Sequence, residues 1–108
     1  MGNNDVLPSM RYAFDRGEAG KAYLVICNDN EDGQPVELWW TSERENDPAT
    51  TESRAMCKAL CATITMALEN GADPWHVVAA LNACSHNHKD VVSDIAWALY
   101  THLGGEHG

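Results

Sequence analysis

Basic residues are scarce. Seven lysines and arginines stand against sixteen aspartates and glutamates, a formal charge of -9. Binding to a nucleic-acid polymer draws on many Lys–phosphate and Arg–phosphate contacts, so this balance excludes a nonspecific polymer binder. It leaves room for one local cationic pocket, because net charge does not describe a single site. Long apolar runs are missing too. None approaches the roughly 20 residues that a membrane-spanning helix needs, so no membrane partner is expected. Met1-Gly2-Asn3-Asn4-Asp5 has neither a basic start nor an apolar leader core, and Val6 stands where a myristoylation signal needs Ser or Thr. A cytoplasmic protein is the expectation, with its four cysteines as reduced thiols. There is no CxxC pair, no internal repeat, no linker and no set of nucleophile, base and orienting acid. An enzyme is therefore not expected, and no cofactor is called for.

What is present centres on Lys21–Thr41. Two apolar runs, Ala22–Cys27 and Val36–Thr41, flank a polar turn that contains Asp32-Gly33 and Pro35. Asp-Gly between strand-like runs is a hairpin signal. The first run is apolar on both faces, which fits an inner strand of a meander. The second alternates: Val36, Leu38 and Trp40 share one face, Glu37, Trp39 and Thr41 the other. Met10–Phe14 reads as an earlier strand with Met10, Tyr12 and Phe14 on one face.

Helical periodicity follows. Cys57, Leu60, Cys61, Ile64 and Leu68 make a core stripe in a helix for which Asp47-Pro48 and Thr50 or Thr51 offer starts, and which runs to about Asn70 and stops at Gly71. Met56, Ala59, Thr63, Met66 and Ala67 make a second apolar face, which implies burial against another helix or subunit. Asp73-Pro74 opens a second helix, with Val77, Val78 and Leu81 inward. Lys89 or Asp90 opens a third, with Val92, Ile95, Ala96, Leu99 and Leu103 inward. The expected fold is α+β: a small antiparallel β-meander packed against two to three C-terminal helices. Residues 1–9 are expected to be a flexible N-terminus, residues 10–103 a single α+β domain and residues 104–108 a flexible tail.

This order of elements, with Asp32, Gly33, Pro35 and Glu37 in the hairpin, Gly71 ending the long helix and Asp73-Pro74 restarting, resembles a known family. It is the small C-terminal domain of cobalamin-dependent, class II ribonucleotide reductases, which also occurs alone as a TSCPD domain protein. The resemblance covers roughly residues 20–103. Ser42-Glu43-Arg44-Glu45 replaces the family's usual Gly-Lys turn, and His86-Asn87-His88-Lys89-Asp90 stands where the Thr-Ser-Cys-Pro-Asp motif would be. The cysteine-rich tail and the catalytic barrel are absent. The resemblance therefore implies a detached module rather than a reductase. Small nucleotide-related modules of this kind also occur in phages, where some act as oligomeric sponges for nucleotide immune signals.

Each candidate site residue also has a plainer role. Trp39 on the alternate strand face can stack on a base or pack in an interface. Arg44, Arg54, Lys58 and Lys89, with His86 and His88, are the candidate contacts to phosphate, and Arg54 lies near a helix N-terminus. Arg54 and Lys58 at i, i+4 can equally pair with nearby acids. Trp40 and Trp97 are expected in the core. Cys57, Cys61, Cys84, His86 and His88 form a weaker zinc alternative, since thiolate and imidazole are zinc ligands. Cys57 and Cys61 also fit the core stripe, where free cysteine behaves as a small apolar residue. Asp29, Glu31 and Asp32 lack the spacing of a calcium loop. The leading expectation is a non-enzymatic homodimer or higher oligomer that binds a small nucleotide or nucleotide-derived signal. The alternative is an accessory or regulatory protein of ribonucleotide reduction acting through protein contacts, and a purely structural oligomer is the third reading.

Overall fold

The computed structural model describes residues 7–17, 20–43, 51–86 and 90–105. Its elements are β1 (Ser9–Asp15), β2 (Lys21–Asn28), β3 (Pro35–Ser42), α1 (Thr51–Glu69), α2 (Pro74–Cys84) and α3 (Val91–His102). The three strands form one antiparallel sheet in the order β1-β2-β3. The fold is α+β, a meander followed by three helices. β1 begins one residue before the expected Met10, and the Pro8 carbonyl accepts from the Asn28 N–H at 2.8 Å.

Leu24 stands opposite Tyr12 on one side and Trp40 on the other, and Ile26 opposite Met10 and Leu38. This register puts Ala22, Leu24, Ile26, Leu38 and Trp40 on the face that the helices cover, and all five are buried. A bulge follows: Cys27 faces Glu37 but Asn28 faces Pro35. Val36 is the extra residue, so it does not continue the Leu38–Trp40 row as the alternation predicts. The opposite face carries Arg11, Ala13, Tyr23, Val25, Cys27, Glu37, Trp39 and Thr41. There the Arg11 guanidinium lies 4.6 Å from the centre of the Tyr23 ring.

α1 packs along β3, α3 lies beneath β2, and α2 packs on α3. The α1 stripe predicted from periodicity is real: Cys57, Cys61, Ile64 and Leu68 are buried, with Leu60 packed at the core's margin. Gly71, at φ +92°, ends α1 in a Schellman turn. Ala72 N–H donates to Ala67 C=O and Gly71 N–H to Leu68 C=O, both at 3.0 Å. Asp73 caps α2 through the Trp75 N–H, and Asp90 caps α3 through the Ser93 N–H.

Two expectations change. Trp97 is 54% exposed rather than core. It falls off the Ile95–Leu99 stripe and meets Tyr12 and Phe14 edge-on at the outer strand. Met10 shares the face of Tyr12 and Phe14 but is likewise exposed, at the rim of the sheet. The second face of α1 is as apolar as the sequence predicts, yet within the single chain it stays uncovered, with Met56 and Met66 both largely exposed.

Candidate functional site

The chemistry gathers where β3 runs beside α1. Glu43 N–H donates to Lys21 C=O at 2.9 Å, so Thr41, Trp39 and Glu37 in turn direct their backbone groups toward β2. By the antiparallel alternation, Leu38 and Trp40 direct theirs off the sheet edge. Leu38 N–H is taken by Thr65 Oγ1 of α1 at 2.9 Å, which pins strand and helix together. Above this pin a groove of about 460 Å³ opens, walled by Leu38, Trp39, Trp40 and Thr41 of β3 and by Lys58, Cys61, Ala62 and Thr65 of α1. Its walls are mostly apolar, with the one ammonium of Lys58. Trp39 borders it from the open sheet face, where its Nε1–H donates to Glu37 Oε2 at 2.9 Å.

A second, smaller cavity of about 150 Å³ adjoins it. Arg16, Trp40, Ser42, Ser53, Arg54 and Cys57 are among its walls. Trp40 lines both spaces, as the partition between an aromatic groove and a cationic recess. Arg16 is paired with Asp94 of α3. Burial raises the Asp94 carboxyl pKa, against the opposing pull of Arg16. Arg16 was not singled out from the sequence. It sits in a turn after β1, and only the tertiary fold carries it to the start of α1.

The two core thiols form the floor. Burial raises the pKa of Cys57, and pushes Cys61 up to about 12 with a further push from Cys57. Both are therefore neutral thiols near pH 7. Cys84 is exposed at the end of α2. His86 is also exposed, and its backbone N–H donates to the Asp90 carboxylate at 2.9 Å. Neither is a wall of the groove or of the recess. Among the described residues no three Cys, His, Asp or Glu side chains gather as a metal site. Of the predicted ligand contacts, the structure thus brings Trp39 and Lys58 to one groove and Arg54 to the adjoining recess, and leaves His86 elsewhere. Arg44, His88 and Lys89 lie outside the described residues.

A polar chain that the sequence did not announce crosses the other side of the core. Tyr12 O–H donates to His102 Nδ1 at 3.0 Å, and His102 Nε2–H donates to Asn28 Oδ1 at 2.7 Å. Burial lowers the His102 pKa and raises that of Tyr12. A neutral imidazole held between a hydroxyl and an amide ties β1, β2 and α3 together. It lines neither the groove nor the recess.

No described helix is long and apolar enough to cross a membrane. Compared with known proteins, the chain matches the family model described as the TSCPD domain over residues 5–103. No curated protein and no solved structure matches it.

Proposed function

We propose that this chain, which belongs to the TSCPD domain family, is a non-enzymatic module that binds a small nucleotide or nucleotide-derived signal between β3 and α1. The observation that carries the reading is the partition at Trp40. On one side lies an apolar groove edged by Trp39 and Lys58, on the other a recess with Arg16 and Arg54. A nucleotide has a comparable division, a flat aromatic base that stacks through its face and an anionic phosphate. Base–aromatic stacking and cation–phosphate contact are the two interactions that recognise it. Neutral thiols at Cys57 and Cys61, and the lack of a convergent acid–base set among the described residues, favour binding over chemistry. Sequestration of a nucleotide signal, as phage sponges do, is one use such a module could serve.

The test is thermal denaturation of the intact chain against mononucleotides, cyclic dinucleotides and cyclic ADP-ribose-type compounds. A ligand that binds only the folded state at 100 times its Kd adds about 2.7 kcal/mol of stability. That corresponds to a rise of roughly 10 °C or more in a domain of this size. At least one compound is expected to give such a shift, and Arg54→Ala and Lys58→Ala are each expected to reduce it. A flat response across the panel sinks the proposal. The family match also keeps a second reading in view, an accessory role beside a ribonucleotide reductase. That role requires co-purification with a reductase large subunit and no nucleotide shift.

A further inference from the structure

A groove of about 380 Å³ runs along α3, apart from the proposed nucleotide site. Its walls are Asn82 of α2 and Ser93, Asp94, Ala96, Trp97 and Tyr100 of α3. That volume is in the range of small-molecule sites. Ser93, Ala96, Trp97 and Tyr100 fall at i, i+3, i+4 and i+7, so one face of the helix lines it. Ala96, buried and small, makes the floor. The two aromatic walls are held in place. Trp97 meets Tyr12 and Phe14 of β1 edge-on, yet is 54% exposed. Tyr100 meets the Trp75 ring edge-on at 5.8 Å. Gly105 lies against the Tyr100 ring, and a Cβ there would stand 2.4 Å from Tyr100 Cε2, so the close approach requires glycine.

The polar walls decide the charge of the occupant. The Asp94 side chain is 19% exposed, and its Oδ2 accepts from Arg16. A carboxylate has about four acceptor sites, so this contact leaves Asp94 capacity for another donor. Burial, and then the like charge of Asp90, push the Asp94 carboxyl pKa up against the pull of Arg16. Asp90 also accepts from the Ser93 N–H at 2.8 Å, which answers the positive end of α3. No lysine or arginine is among the described walls, so an anion finds no countercharge. A wholly apolar ligand would strip water from Asn82, Ser93 and Asp94 and replace none of it. A cation meets a carboxylate and the negative faces of two aromatic rings.

We infer that this groove binds a small alkylammonium cation, its charge seated between Asp94 and Trp97 and its alkyl part reaching toward Tyr100. Asp94 and Trp97 are three residues apart on α3, neighbours on its surface and about 4.5 Å apart along the axis. One ammonium can touch both, since cation–π contact reaches about 6 Å from the ring centre. Asn82 and Ser93 can serve a hydroxyl on the ligand. The groove shares no wall residue with the nucleotide groove or the recess.

The test is a titration of the isotope-labelled full chain at pH 7 and constant ionic strength, followed by its tryptophan indole signals in proton–nitrogen correlation spectra. The probes are choline and butylammonium. Each is compared with a neutral counterpart of like shape: the alcohol in which carbon replaces the charged nitrogen of choline, and butanol. The Trp97 signal, identified by its loss in Trp97→Phe, is expected to move saturably with at least one cation, while those of Trp39 and Trp40 stay still. The neutral counterpart is expected to bind about tenfold more weakly or worse, and Asp94→Asn to weaken the cation by a similar factor. A Trp97 signal that ignores both cations overturns the inference. Equal binding of a cation and its neutral counterpart does the same, because charge would then play no part. So does equal movement of all four indoles, which would mean counterions gathering on an acidic surface. The neutral comparison uses the wild-type chain, so the inference can fail even where Asp94→Asn does not fold. No nucleotide enters any arm, so failure here is distinct from failure of the nucleotide reading.

Discussion

At the scale of single residues, Cys61 shows how burial sets chemistry. It is 2% exposed, on the helix face that meets the sheet. Taking a thiolate out of water costs more than taking out a thiol, so its pKa rises from 9.0 to about 12. The consequence for stability has a definite sign. Below pH 9 the folded and unfolded chains both hold this proton. Between about 9 and 12 the unfolded chain releases it and the folded one does not. The unfolded state then binds fewer protons, and stability falls with rising pH at up to about 1.4 kcal/mol per pH unit from this group. Cys61→Ala lacks the term. It is expected to be less stable at pH 7, by about 1–2 kcal/mol for the lost packing, and to converge on wild type as the pH climbs past 9. Urea titrations at several pH values check this. Curves that stay parallel would mean that the thiol is not held in its neutral form. The same burial explains why a zinc reading of Cys57 and Cys61 was legible in the sequence alongside a core reading. Spacing cannot separate the two.

At the scale of elements, the reading from sequence succeeded where the signal is local. Asp-Gly in the hairpin, Asp73-Pro74 at the start of α2 and Gly71 after α1 each act within one turn of chain, and each lies where its chemistry requires. The β-bulge at Val36 and the exposure of Trp97 were not legible, because they depend on how strands and helices meet. Arg16 escaped for the same reason, being 38 positions in sequence from Arg54 while lining the same recess. The junction that makes the site is also tertiary. Thr65 accepts from Leu38 N–H and donates to its C=O at 3.4 Å, so one hydroxyl serves both outward backbone groups of that residue. Thr65→Val keeps the shape and removes both partners. The stranded N–H and C=O are expected to cost about 1–3 kcal/mol, seen as a lower urea midpoint at an unchanged slope. An unaltered midpoint would show that water replaces the hydroxyl and that strand and helix are held by apolar contact alone.

At the scale of the whole molecule, charge is the dominant asymmetry. The chain carries -9, and no polar or charged residue is buried among those described. Most of that charge therefore faces water and repels itself, which opposes the compact state. Salt shortens the reach of this repulsion to about 10 Å at 0.1 M. Raising sodium chloride from about 0.02 to 0.3 M is thus expected to raise the melting temperature, because folding gathers like charge. The proposed nucleotide binding should respond in the opposite sense. An anionic phosphate drawn to Arg16 and Arg54 gains from attraction, and the same salt screens that attraction. Weaker binding together with a more stable protein would separate a local cationic recess from the acidic surface around it. If affinity instead rose with salt, the repulsion of the whole molecule would outweigh the recess, and the phosphate contacts assigned to Arg16 and Arg54 would be wrong.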